Sequence, residues 1–367
     1  MSPSPLDIEE IRRIDRSNML SFAIEAPKHY REAAHIARAI SLDYPKPENI
    51  IIAGMGGSAI GGELLKDWAR NKAPVPIEIN RDYTLPAYAG KRSLVVIVSY
   101  SGETEESLSA LQDAAKKHCP VYCISSGGSL LEFAEKLSLP HLQVPAGMPP
   151  RAALPYLFVP LIVLLEKARL VADVSDDLRE GIKILAQVSS ENLPERPLES
   201  NLAKTLAMGI NGTVPAVYGF GVYRGVAQRF KQQFNENAKI PAKWEVFPEL
   251  NHNEVMGWEK AGKLAEHFSA LFLRDRNESE AVRSRIEITK TLMGSASKMF
   301  EVWSRGESEL ARMLSAILVG DFTSVYLAVL REVDPTPVQT ITLLKEKLNQ
   351  TGTKEKITRE LAKLASA

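Results

Sequence analysis

Residues 50–64, Ile-Ile-Ile-Ala-Gly-Met-Gly-Gly-Ser-Ala-Ile-Gly-Gly-Glu-Leu, carry an apolar run straight into a glycine-rich turn. The run stops at Gly54, and Gly56 and Gly57 follow. Ser58 then opens a segment whose apolar residues, Ile60, Leu64, Leu65 and Trp68, fall at helical spacing. Strand, tight turn and helix in this order are the repeating unit of an α/β fold. Glycines let the backbone approach a ligand closely. The start of the helix offers N–H groups and a partial positive charge to an anion. Taken alone, the stretch suits a packing turn as well as it suits a phosphate or sugar site.

A second stretch repeats the plan. Residues 94–108, Leu-Val-Val-Ile-Val-Ser-Tyr-Ser-Gly-Glu-Thr-Glu-Glu-Ser-Leu, end a buried-looking strand in a polar turn bearing Ser99, Ser101, Gly102 and Thr104. Leu108, Leu111 and Ala115 then mark a helix face. Ser101 or Thr104 could be a simple helix cap. Three hydroxyls between a strand's end and a helix's start also suit the acceptor oxygens of a phosphate. The carboxylates Glu103, Glu105 and Glu106 must point away from any bound anion or serve the helix dipole.

Around these stretches the chain reads as alternating strands and helices. Residues 6–42 are mainly helical with a break near Pro27, and Ala33, Ile36, Ala37 and Ile40 share a face. Pro45 and Pro47 end that stretch. Strand-and-helix units follow at 50–70, 94–117 and 121–138, and a short apolar segment around Ile77 adds a strand. Such alternation predicts a parallel sheet covered on both faces, with ligands at the carboxyl ends of its strands. The proline- and glycine-rich residues 145–155 mark a boundary, and Arg151 stands at the entry of a helix over 154–168. From about residue 200 the pattern restarts. Val214–Phe220 reads as a strand, Gly219, Gly221 and Gly225 follow, and Val226, Phe230 and Phe234 continue as a helix face to about Ala238. This is a diverged second copy of the first unit, without its serine. Strands near Trp244–Phe247 and Ser269–Leu273 and a helix from about Ser279 come next, and helices dominate from there to the C-terminus.

Lys+Arg and Asp+Glu are equal at 45 each, so no bulk charge recruits nucleic acid or an anionic membrane. The sequence shows no apolar stretch of membrane-spanning length. Its first ten residues are polar and acidic, unlike a signal peptide, and a cytoplasmic protein is expected. Cys119 and Cys123 stand beside His118. Because 121–125 reads as a strand, Cys123 belongs to the core, and two thiols with one imidazole do not close a zinc site.

Four motifs together identify a resemblance. The Gly-x-Gly-Gly-Ser loop at 54–58 and the Ser-x-Ser-Gly-x-Thr loop at 99–104 resemble the sugar isomerase (SIS) domain, which binds phosphosugars at these two turns. Pro150-Arg151-Ala152-Ala153-Leu154-Pro155 and Glu249-Leu250-Asn251-His252-Asn253-Glu254 resemble the bifunctional phosphoglucose/phosphomannose isomerases of archaea and some bacteria. The resemblance runs from about residue 20 to about 350. It implies an α/β fold of two SIS-type subdomains, each a three-layer αβα sandwich on a parallel sheet. The expected organisation is an N-terminal helical segment (1–48), a first SIS subdomain (49–150), connecting helices (151–200), a second SIS subdomain (201–300) and a C-terminal helical segment (301–367).

The resemblance also implies roles. Gly56, Gly57, Ser58, Ser99, Ser101 and Thr104 would hold the sugar phosphate. Glu236 would be the base and His252 the ring opener; by themselves they read as a surface glutamate and a loop histidine. Arg151 would stabilise charge on the reacting oxygens, though generically it reads as a solvated surface arginine. Thr336, or else Thr340, would leave room for either C2 epimer, and Lys345 would assist ring opening or stand as a solvated helix lysine. No metal, nucleotide or flavin cofactor is implied. A homodimer is, with the substrate between two facing subdomains and His252 shared across the interface. Narrower readings stay open: a phosphoglucose-only isomerase, or a non-catalytic phosphosugar sensor, which would need neither Glu236 nor His252. A nucleotide-binding protein fits less well, because the first turn lacks a P-loop lysine and does not match Gly-x-Gly-x-x-Gly.

Overall fold

A computed structural model describes residues 5–294 and 298–366. The polar start at residues 1–4 and three residues near the end of the expected second subdomain lie outside the described residues. Helices α1 (Ile8–Ile14), α2 (Met19–Ile24) and α3 (Ala26–Ala37) precede β1 (Asn49–Ala53), α4 (Gly57–Ala69), β2 (Ile77–Asn80), β3 (Ser93–Val98), α5 (Glu105–Lys116), β4 (Val121–Ser125), α6 (Gly128–Lys136) and β5 (His141–Gln143). Next come α7 (Leu154–Lys167), α8 (Ser175–Glu191), α9 (Leu202–Ile210), β6 (Val214–Phe220), α10 (Arg224–Glu236), β7 (Lys243–Phe247), α11 (Met256–Glu259) and β8 (Phe268–Arg274). The chain closes with α12 (Glu280–Met293), β9 (Lys298–Trp303), α13 (Glu309–Leu330), α14 (Gln339–Asn349) and α15 (Thr353–Ala365).

Two compact units result, one built from residues 29–174 and 338–367 and the other from residues 1–28 and 175–337. The first carries a parallel sheet of order β2-β1-β3-β4-β5, the second a parallel sheet of order β7-β6-β8-β9. Chain order and strand order therefore match: the first strand is central, the next flanks it on one side, and the third and fourth on the other.

Alternation along each strand explains the layers. In the five-stranded unit, Ile51, Ala53, Val95, Ile97, Val121 and Cys123 bury one face against Leu108 and Leu111 of α5, Leu130 and Phe133 of α6, and Ile357 and Leu361 of α15. The tail after 351, whose role the sequence leaves open, is thus a structural helix of this layer. The other face takes α4, which packs against the wholly buried start of α7. In the four-stranded unit, Ala216, Tyr218, Ala270 and Phe272 meet Ile286 and Met293 of α12. The opposite face lies under α10, which packs with α13 and, through it, α8 and α9.

One sequence expectation needs correction, and two strands went unread. First, α13 is long and apolar enough to cross a membrane by length and composition, although no such stretch was expected; 89% of that window is buried inside the fold. Its Asp321 interrupts the apolar run, yet Arg229 of α10 grips that carboxylate through Nε (3.1 Å) and Nη2 (2.8 Å), and Gln233 adds a third bond (2.9 Å). Removing one partner of so enclosed a pair costs about 3–5 kcal/mol. Second, helices dominate from 279 as expected, but β9 interrupts them, its half-exposed Lys-Met-Phe-Glu-Val-Trp lacking a continuous apolar signal. Third, β5 adds an edge strand of three residues, too short to leave a pattern. The break near Pro27 does occur, with Glu25 closing α2 and Pro27 in the first turn of α3, where a missing N–H is harmless.

Candidate active site

Both hydroxyl-rich turns lie at the point where strand order reverses in the five-stranded unit, at the carboxyl ends of neighbouring β1 and β3. In an open α/β sheet this is where a crevice forms. Gly56 caps α4. The N–H groups of Ser58 and Ala59 turn back to the Met55 and Gly56 carbonyls. Gly57 is required by close approach: a Cβ there would stand 2.8 Å from the Pro150 carbonyl oxygen and 3.0 Å from the Arg151 nitrogen. Arg151, read generically as a solvated arginine, is instead only 4% exposed beside this turn.

The serines and threonine form a knit with a common logic. Ser58 Oγ accepts from the Tyr100 N–H (3.1 Å), Ser101 Oγ from the Glu103 N–H (3.2 Å), and Thr104 Oγ1 from the Ser99 hydroxyl (3.0 Å). A hydroxyl has one hydrogen to donate. At Ser58, Ser101 and Thr104 that hydrogen remains for an acceptor outside the knit. Ser99, fully buried, spends its own on Thr104 and so orients it. Thr104 holds the cap position of α5 without making the capping bond, so it is not the simple cap the sequence left open. The flanking carboxylates turn away, as an anion site requires. Glu103 accepts from the Ser129 N–H (2.7 Å) and pairs with Lys354, and Glu105 accepts from the Tyr83 hydroxyl (2.6 Å).

Sequence reading passed over two supports of this site. Tyr100 lies between the serines, 5% exposed, and ties the turn to distant chain. The turn after β4 is the other. Gly102 has a φ of 71°, and a Cβ on it would meet the Gly127 carbonyl oxygen at 1.8 Å. Only glycine fits, and so the two turns interlock. The Ser-Ser-Gly-Gly-Ser of 125–129 was the visible signal, a third hydroxyl-rich turn at a strand's carboxyl end.

The remaining candidates divide. Lys345 and Thr340 are exposed on α14, a helix with no buried residue. In the four-stranded unit Glu236 ends α10, and Lys239 links it to Thr336: its Nζ donates to the Glu236 carbonyl and to that of Pro335 (2.9 Å). Asn237 bonds Ser324 (2.8 Å) and Arg331 bonds the Ala238 carbonyl (2.9 Å), pinning the same corner to α13. His252 stands elsewhere, exposed after β7, in a loop whose other polar residues are all engaged. Asn251 bonds Thr289 (2.7 Å), Asn253 bonds Glu249 (2.9 Å), and Glu254 takes Lys243 (2.6 Å) and Tyr218 (2.9 Å). Glu236 and His252 thus bracket β7 at its two ends. Among the described residues no group of three or more His, Cys, Asp or Glu could hold a metal ion, and burial pushes the Cys123 thiol up to about 12.

The model of the bacterial phospho-glucose isomerase C-terminal SIS domain matches residues 199–348. A solved structure of a hypothetical protein from Thermus thermophilus shares the fold, with a TM-score of 0.71 over 94% of each chain at 18% identity. A bifunctional phosphoglucose/phosphomannose isomerase of Thermoplasma volcanium is 34% identical over 304 residues, 83% of this chain and 92% of that protein. One from Caldicellulosiruptor bescii is 42% identical over 334 residues, 90% of this chain and 98% of that protein. Identity of that extent along almost the whole of both proteins means that the chain belongs to the bifunctional phosphoglucose/phosphomannose isomerase family.

Proposed function

We propose that the protein interconverts glucose 6-phosphate and mannose 6-phosphate with fructose 6-phosphate, without a metal. The observation that carries this reading is the pair of neighbouring turns that hold Ser58, Ser101 and Thr104, each with a hydrogen left to donate, with the buried Arg151 beside the first of them. Three such donors suit a phosphate's three terminal oxygens.

The chemistry needs ring opening first. The His252 imidazole, with one nitrogen to accept a proton and one to donate, can pass a proton between the anomeric hydroxyl and the ring oxygen. Glu236 then removes the C2 proton of the open chain and returns it to C1 through a cis-enediol(ate). Arg151 stays charged at any working pH and stabilises negative charge on O1 and O2, an effect worth about 3–4 kcal/mol. Either C2 epimer yields the same enediol. Thr336, brought to the corner of Glu236 by Lys239, is the residue we assign to tolerance at C2.

Ring opening and C2 deprotonation occur at adjacent atoms. Within one chain Glu236 and His252 lie at opposite ends of β7, a strand of five residues that spans about 17 Å. This separation supports a homodimer in which His252 of a second copy completes each site.

The test is fructose 6-phosphate formation from each aldose phosphate with EDTA present, for the natural protein and Glu236→Gln. Activity on both substrates that survives EDTA and falls by about 10²–10⁴-fold in the variant is expected. Activity on glucose 6-phosphate alone would remove the role of Thr336. Tight sugar-phosphate binding with no turnover would point to a sensor instead.

A further inference from the structure

Tyr100 uses every polar atom it has. Its N–H donates to Ser58 Oγ (3.1 Å), and its carbonyl accepts from the Ser126 N–H (3.0 Å) and Ser126 Oγ (2.6 Å). Its hydroxyl donates to the Pro145 carbonyl (2.9 Å) and accepts from the Met148 N–H (3.0 Å). One residue thereby joins the start of α4 and the turn after β4, through its backbone, to the irregular segment that delivers Arg151, through its hydroxyl. That segment needs holding. It runs from the end of β5 to α7 with no regular structure, and it bears Gly147 at a φ of 93° and two consecutive prolines.

We propose that Tyr100 is a positioning residue, whose hydroxyl sets the 145–151 segment so that Arg151 keeps its place beside the start of α4. Gly57 closes the other side of the arrangement, because its bare backbone lets Pro150 and Arg151 settle against the helix start. The sugar phosphate's donors and the arginine then belong to one hydrogen-bonded frame with Tyr100 at its centre. Burial pushes the Tyr100 phenol up, so it keeps the proton that it gives to Pro145 throughout the working range. Catalysis depends steeply on such placement, and a shift of about 1 Å can lower a rate about 100-fold.

Tyr100→Phe removes both hydroxyl bonds and keeps the ring. Hydrogen exchange of the Met148 amide tests the positioning itself, whatever the protein catalyses. The amide should exchange at least tenfold faster in the variant while amides of β1 and β3 keep their protection. Unchanged exchange at Met148 overturns the proposal. The kinetic arm rests on the isomerase reading: kcat should fall by about 10–100-fold with KM for glucose 6-phosphate within about twofold, because the serine turns are intact. On an Arg151→Ala background Tyr100→Phe should cost no further activity. An equal loss on that background, or a rise in KM matching the fall in kcat, would mean a merely structural role. Should Tyr100→Phe fail to fold, Ser126→Ala loosens the same frame from its other end and should reproduce the fall in kcat at unchanged KM; a change in KM alone overturns the proposal. A natural protein inactive on both aldose phosphates would defeat the isomerase reading, and the exchange result would still stand or fall separately.

Discussion

The two units carry sheets wound in the same order, yet the turns where that order reverses are built from different side chains. In the five-stranded unit the ends of β1 and β3 present glycine, serine and threonine, and hydroxyl hydrogens are left for a ligand. In the four-stranded unit the turn after β6 instead carries the fully buried Tyr223. Its hydroxyl donates to Asp275 (2.6 Å) and meets Ser304 (2.7 Å), and Arg312 completes the knot on Asp275 (2.9 Å). The Tyr223 hydroxyl is thus engaged with the protein's own side chains, where Ser58 in the other unit keeps a hydrogen to donate. A shared fold supplies the place for a site, and the side chains decide whether it is open. In the four-stranded unit the residues we propose for proton transfer, Glu236 and His252, stand at a helix end and in a loop rather than at its switch point.

The sharpest way to break this contrast is backbone bulk. Gly102→Ala should destabilise the five-stranded unit by about 4 kcal/mol or more, because the Cβ would overlap the Gly127 carbonyl. Gly221→Ala, at the corresponding turn after β6 with open space around it, should cost only about 1–2 kcal/mol. Urea unfolding compares the two, and equal losses would mean that the turns are built alike.

A smaller effect separates the two turns. Ser58→Ala should weaken glucose 6-phosphate binding by about 10–100-fold, the worth of one hydrogen bond to a charged oxygen. Tyr223→Phe should leave binding unchanged and lower stability by about 1–3 kcal/mol, since Asp275 and Ser304 lose a buried partner. Calorimetric titration with unfolding curves reads both, and a binding loss in Tyr223→Phe as large as that in Ser58→Ala would erase the contrast.

The smallest effect concerns pH. Burial pushes the Glu103 carboxyl up, but Lys354 and the Ser129 donors outweigh it and hold it below its ordinary value. A carboxyl whose pKa is lower folded than unfolded stabilises the fold above its unfolded value and loses that stabilisation as pH falls through the folded one. The Lys354 link to α15 should therefore be intact at neutral pH and fade below about pH 4. With the pair partly in solvent, Lys354→Met should cost about 0.2–1 kcal/mol at neutral pH and nothing in acid. Exchange of the α15 amides at the two pH values checks it.

Much of this was legible in the chain itself. The apolar runs at 50–53 and 94–98, the helical spacing after each, and the restart near Val214 determined two wound sheets, because strand and helix periods are written within a few neighbouring residues. The glycines and hydroxyls at 56–58 and 99–104 marked the crevice for the same local reason. Tertiary structure alone decided which hydroxyls are left to donate, since that depends on who donates to them: Tyr100 to Ser58 across 42 positions, and its own hydroxyl to Pro145 across 45. It decided that Arg151 is buried, that Lys239 reaches Pro335 across 96 positions, and that the Tyr223 hydroxyl is taken by Asp275. A hydrogen has one best acceptor in space and leaves no period in sequence, so turns can be read from their own residues while the partners that open or close them cannot.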